Sequence, residues 1–172
     1  MTQYLSRIFS STLVIVLSAI ISAAFGYQFI VGQNPCPLCF LQRAAMIGIA
    51  AGQMLNFRFG IKMSHHAISL FHCFIGGAVS LRQICLHICP GSGTFGTPVL
   101  GFGLYTWAFI AFACSIIVIG VLMWMYDSKW KTIHSKPLNY LEKFASVYMF
   151  VIVVADVITA IKVCGWICPD NP

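Results

Sequence analysis

Apolar positions gather into five long runs along the 172 residues, at about 11–31, 39–57, 64–85, 104–126 and 140–163, with short polar connections between them. None alternates as a half-buried strand would, and each approaches the roughly 20 residues a helix needs to cross a bilayer. The pattern predicts an all-α integral membrane protein with five spanning helices. No small-residue cleavage site follows the first run, which therefore reads as a retained anchor rather than a secretory signal. Composition supports the same class: 59% of residues are hydrophobic and only 8% charged, with a mean hydropathy of +0.88. A soluble domain carries about 25% charged residues, and a chain so poor in charge could not cover a water-facing surface.

The net charge is +6, but the basic residues form no stripe that would suit a nucleic acid. They sort by loop instead. Arg7, Arg58, Lys62, Lys129, Lys131, Lys136 and Lys143 fall on one side of a five-span chain, against Arg43, Arg82 and Lys162 on the other. By the positive-inside rule the N-terminus is cytoplasmic and the C-terminus external. That orientation, derived from charge alone, places Cys36 and Cys39, Cys85 and Cys89, and Cys164 and Cys168 on the external side, where disulfides form and persist. Cys73 and Cys114 fall within spans and read as small packing residues.

Cys36-Pro37-Leu38-Cys39 is the pattern with the clearest chemistry. Thiol–disulfide exchange needs a thiolate and a second thiol to resolve the mixed disulfide. A C-x-x-C turn supplies both, and a helix N-terminus lowers the thiol pKa through its unpaired N–H groups. Asn34-Pro35-Cys36-Pro37 reads as a helix start, since proline is tolerated in the first turn. Arg43 lies one turn below Cys39 on the same face, where a permanent cation would stabilise a thiolate or an anion developing on a bound acceptor. A static disulfide, or half of a zinc site completed by Cys85 and Cys89, uses the same residues. The external location and the lack of a second C-x-x-C weigh against metal.

The stretch Asn34-Pro35-Cys36-Pro37-Leu38-Cys39-Phe40-Leu41-Gln42-Arg43 closely resembles the signature of the disulfide bond formation protein B (DsbB) family, and the likeness extends over about residues 10–126. The resemblance implies a four-helix bundle core in the bacterial cytoplasmic (inner) membrane. It implies a protein-disulfide:quinone oxidoreductase that reoxidises an external thioredoxin-fold, DsbA-like partner and passes two electrons to ubiquinone or menaquinone. By the family pattern Cys36 and Cys39 form the quinone-facing pair, with the thiolate on Cys39 and Arg43 assisting quinone reduction. Cys85 and Cys89 are the pair that meets the partner. Two features depart from the better-known members. The second external connection is short, with its cysteines closely spaced, as in the short-loop (BdbC-like) branch. A fifth helix follows, so residues 1–126 form the redox core and residues 127–172 a linker, an added span and an external tail.

Cysteines four apart on a regular helix have Cβ atoms about 5–6 Å apart, against about 3.5–4.5 Å in a disulfide. A Cys85–Cys89 bond therefore requires the helix to end before Cys89, which Pro90, Gly91 and Gly93 favour. Cys164-Gly165-Trp166-Ile167-Cys168-Pro169 repeats the pattern and reads as an accessory disulfide, with cross-pairing to Cys89 open. His87 either tunes the neighbouring thiols or is merely solvated, and Arg82 reads as reaching for lipid headgroups. The aromatics of residues 102–107 suit either a quinone pocket or interfacial anchoring. Asp156, a carboxylate within a span, should face the bundle or a polar cavity, with no partner legible in the sequence. The other histidines show no site spacing. The rival reading is a polytopic transporter or channel component stapled by external disulfides, for which the intramembrane polar residues are few.

Overall fold

Among the described residues five helices form where the apolar runs require them: α1 (Thr2–Val31), α2 (Pro37–Phe59), α3 (Met63–His87), α4 (Leu104–Trp124) and α5 (Tyr140–Cys164). The computed structural model describes residues 2–32, 36–88, 98–126 and 139–164. Each helix is long and apolar enough to cross a membrane. The first starts well before its apolar run, because residues ahead of the run pack along α5: Ser6 is buried, and Arg7 reaches Glu142. Cys89 and Cys168, the side chain of Cys164, the glycines and proline after Cys89, and the lysines of the α4–α5 connection lie outside the described residues.

Successive helices run antiparallel, and their contacts give the order. At one end of the bundle Gln42 of α2 meets Gln83 of α3, and His87 stacks on Tyr105 of α4 with ring centroids 5.1 Å apart. At the other end Asn56 of α2 closes the turn into α3. Its Oδ1 accepts the Lys62 amide N–H at 3.1 Å and lies 2.9 Å from His65 Nδ1, while Gly60 takes φ 79°, a conformation that favours glycine. Helix α1 packs on α2 and α4, so α1–α4 form a four-helix bundle. Helix α5 packs outside this bundle, on α1 and α2.

A single apolar core links the helices, from Val14, Leu17 and Ile21 through Ile49 and Phe112 to Ala145, Met149 and Ile152 of α5. Outward-facing Ile117, Val147 and Phe150 are largely exposed, as expected where lipid is the solvent. Several hydroxyl residues inside the spans find partners on their own helix. Ser11, Ser18, Ser22, Ser115 and Thr159 each donate a hydroxyl to the carbonyl four residues earlier. Ser22 also pairs with Tyr148 of α5 at 2.9 Å. His65 and His66, which looked unconnected in the sequence, are buried with Gln53, Asn56 and Ser69 between α2 and α3.

Close approach of α2 and α3 depends on Gly52, where a Cβ would stand 2.8 Å from the His65 carbonyl oxygen, while Gly77 has open space around it. Gly52→Ala is therefore expected to lower thermal stability in detergent by about 1–3 kcal/mol. Gly77→Ala, measured in parallel, is expected to be neutral or slightly stabilising, because alanine is the better helix former.

Candidate active site

The α2 N-terminus builds the dithiol. Cys36 is its N-cap, with φ −74° and ψ 159°, and Pro37 occupies the first turn, where a missing N–H costs nothing. The Cys36 carbonyl accepts the amides of Cys39 and Phe40, and its sulfur accepts the Cys39 N–H at 3.3 Å. The cap geometry thus turns both thiols the same way, with Sγ atoms 2.7 Å apart. Gln83 of α3 completes the cluster: its Nε2 lies 3.4 Å from Cys36 Sγ and 3.9 Å from Cys39 Sγ. Gln42 donates to Gln83 Oε1 at 2.9 Å and so fixes which end of that amide faces the sulfurs.

Electrostatics single out Cys36. The hydrogen bond from Cys39, helped by the backbone N–H groups of Cys39 and Leu38 and by Gln83, outweighs burial and lowers its thiol pKa to about 6. The capping position thus favours a thiolate at Cys36. Cys39, on which the sequence placed the thiolate, lies one turn above Arg43 and lines the same cavity, while the capping position belongs to Cys36.

Arg43 does not reach out to the headgroups. Its side chain is 8% exposed, with the guanidinium 4.4 Å above the Phe25 ring and Nη2 donating to Gln28 Oε1 at 3.2 Å. Its Nη1 stands 3.5 Å from Asp156 Oδ1 of α5, which gives that intramembrane carboxylate its partner. Lys162, by contrast, is exposed.

Cys39, Gln42, Arg43 and Gln83 line one wall of a cavity of about 640 Å³ between α1, α2, α3 and the start of α4. The rest of its lining is mostly apolar, including Ile20, Met46, Leu100 and Ala108, with Tyr105 and Trp107 at the α4 side. That volume lies within the range of small-molecule sites, about 300–1,000 Å³. A dithiol whose deeper sulfur faces an apolar cavity beside a buried cation can deliver electrons to an apolar acceptor. Residues 6–95, more than half of the chain, match the family model for Disulfide bond formation protein DsbB. The chain belongs to the DsbB family.

Curated relatives agree. The Disulfide bond formation protein B 1 of Pseudomonas fluorescens strain Pf-5 is 26% identical over 146 residues, covering 66% of this chain and 86% of the relative. The Disulfide bond formation protein B of Pseudomonas syringae pv. tomato strain DC3000 is 29% identical over 153 residues, covering 69% and 90% respectively. No solved structure gives a significant match. The protein is thus a membrane thiol oxidoreductase of disulfide bond formation.

Within this DsbB-family site, the structure brings Cys36, Cys39 and Arg43 to one cavity but leaves Cys85 apart. Cys85 is exposed near the end of α3, on a different face from buried Gln83 two residues earlier, and its thiol is free. Helix α3 ends at His87, so the termination that a Cys85–Cys89 bond requires is present up to Ile88, while Cys89 lies outside the described residues. His87 donates from Nδ1 to the Gln83 carbonyl at 2.8 Å and stacks on Tyr105. Cys73 is fully buried, as a packing residue should be, whereas Cys114 is exposed on the lipid-facing surface. Sequence reasoning missed Gln28, Gln42 and Gln83. The available signal was an amide near the end of an apolar span, which needs a polar partner there.

Proposed function

We propose that this protein oxidises a reduced thioredoxin-fold, DsbA-like partner on the external side of the bacterial inner membrane and passes the electrons to a quinone. A partner thiolate attacks the Cys85–Cys89 disulfide, the mixed disulfide resolves, and the partner leaves oxidised. Two thiols remain on Cys85 and Cys89. Exchange with the Cys36–Cys39 disulfide restores the first pair and reduces the second. Arg43 and the apolar lining would hold a quinone in the cavity, which would supply an acceptor for two electrons and two protons as the Cys36–Cys39 bond re-forms.

The remaining work belongs to the chain's own residues. Cys36, ionised near neutral pH, is the sulfur positioned to close the bond onto Cys39, and Gln83 holds both sulfurs. Arg43 is the cation for a developing acceptor anion: it lines the cavity beside Cys39, buried and held by Gln28 and Phe25. The sorting of cysteines by charge supports the external placement, with Cys164–Cys168 as an accessory disulfide in the tail. The observation that carries the reading is that Cys39 and Arg43 wall the same apolar cavity.

The test is stoichiometric. Purified protein in detergent, given reduced thioredoxin-fold substrate and a short-chain ubiquinone analogue, is expected to consume one quinone per substrate disulfide formed, followed by quinone absorbance and thiol titration. Substrate oxidation without quinone consumption overturns the reading.

A further inference from the structure

The two ion pairs that fasten α5 are built differently. Arg7 and Glu142 make a two-pronged pair, with Nη2 to Oε2 at 2.7 Å, and Glu142 also accepts the Asn139 N–H at 3.0 Å. That geometry satisfies both partners and is what a structural anchor needs. Arg43 and Asp156 instead stand 3.5 Å apart, and both facing atoms, Nη1 and Oδ1, are buried without a hydrogen bond. Asp156 does not line the cavity, whereas Arg43 does. The carboxylate therefore sits behind the guanidinium, close enough to balance its charge from outside the cavity.

We propose that Asp156 is a positioning residue for quinone binding: from α5 it holds Arg43 at the cavity wall, making the fifth helix part of the electron-exit site. The family match ends at residue 95, well before this helix. The physical reason is the cost of a lone cation in a bilayer. With Asp156 neutralised, Arg43 keeps only Gln28 and the Phe25 ring, and a long basic side chain without a counter-charge is drawn toward the headgroups. The cavity then loses its donor. Phe40, whose ring lies 5.8 Å from the guanidinium, belongs to the same helix and offers no opposite charge.

The inference rests on the quinone reading, and equilibrium binding separates the two. Quenching of tryptophan fluorescence by a short-chain ubiquinone analogue reports on the cavity, because Trp107 lines it. Asp156→Asn is expected to raise the Kd about tenfold, with KM rising in parallel. kcat and the quinone-independent exchange with reduced substrate are expected to stay within about twofold of wild type. Asp156→Glu, which keeps the charge, is expected to restore Kd to within about threefold of wild type. In an Arg43→Gln background Asp156→Asn should add nothing, and this pair of variants decides the matter if the single variant folds poorly. Glu142→Gln, at the far end of α5, is expected to lower thermal stability without moving Kd. If Asp156→Asn behaves like Glu142→Gln, less stable with Kd unchanged, the positioning role is overturned while the quinone reading stands. If wild type binds no quinone, the functional reading itself falls and this role with it.

Discussion

Cys36→Ala and Cys39→Ala are each expected to cut quinone-dependent oxidation of a thioredoxin-fold substrate by at least about a thousandfold, and the double variant by no more, because the two sulfurs act as one unit. Neither change should cost much stability, since both side chains are only partly buried at a helix start. The two variants differ in what they do to the remaining thiol. In the reduced wild type, Cys36 has its pKa lowered to about 6, chiefly by the hydrogen bond from Cys39. The thiolate is the reactive form, so alkylation of Cys36 should be fast above about pH 6 and fade as pH falls through that value. Cys39→Ala removes the largest cause of the shift, leaving the backbone amides and Gln83. The alkylation midpoint should then move upward, toward the ordinary thiol range, and reactivity should already be fading at neutral pH. A midpoint that stays near 6 in Cys39→Ala means that the helix terminus alone sets the acidity. Stopped-flow alkylation across pH 4–9, with peptide mapping to assign the label, makes the distinction.

A thiolate stabilised in this way also biases electron flow. Whatever stabilises the reduced pair makes its disulfide more oxidising, so in the proposed relay the geometry around Cys36 would favour electron flow from Cys85 and Cys89 to the Cys36–Cys39 pair. Onward delivery in that relay would depend on the acceptor proposed beside Arg43. The two halves of the site thus have separate owners: α2's first turn and Gln83 tune the dithiol, while α1, α2 and α5 together hold the cation.

That division marks what the sequence could disclose. The five spans were legible because a membrane helix is a local property, roughly 20 apolar residues in a row. The dithiol was legible because the C-x-x-C turn, its prolines and its capping position are contiguous. What stayed hidden was pairing between helices. Gln42 and Gln83 were visible as amides in apolar runs, but their meeting depends on the antiparallel register of α2 and α3. Asp156 was recognisable as a carboxylate that had to face something, yet Arg43 was already occupied by an explanation involving Cys39. Only the docking of α5 on α1 and α2 joins the two. His65 and His66 show the same limit: side by side in the sequence, they gain a role from Asn56 and Gln53 across the hairpin.

The largest effect on stability should come from breaking the Arg43–Asp156 pair on one side. Arg43→Met keeps much of the side-chain volume over Phe25 but strands a carboxylate that is 12% exposed, inside the membrane and with no hydrogen-bond partner on Oδ1. Removing one member of a buried pair costs about 3–5 kcal/mol, most of it the penalty of the uncompensated charge left behind. Asp156→Leu should destabilise for the mirror reason, though less, because Arg43 retains Gln28 and the Phe25 ring and has a long, flexible stem. The double variant Arg43→Met/Asp156→Leu leaves no charge to compensate, and most of the lost stability should return, since a buried pair replaced by apolar residues of similar volume is often neutral. Quinone binding should not return with it, because the donor at the cavity wall is gone. Thermal unfolding in detergent and fluorescence titration on the same four proteins read the two quantities independently. Recovery of stability without recovery of binding identifies a pair kept for the cavity rather than for the fold. If the double variant stays as unstable as Arg43→Met, the cost lies in packing around Phe25, and the charge pair is not what holds α5 at this end.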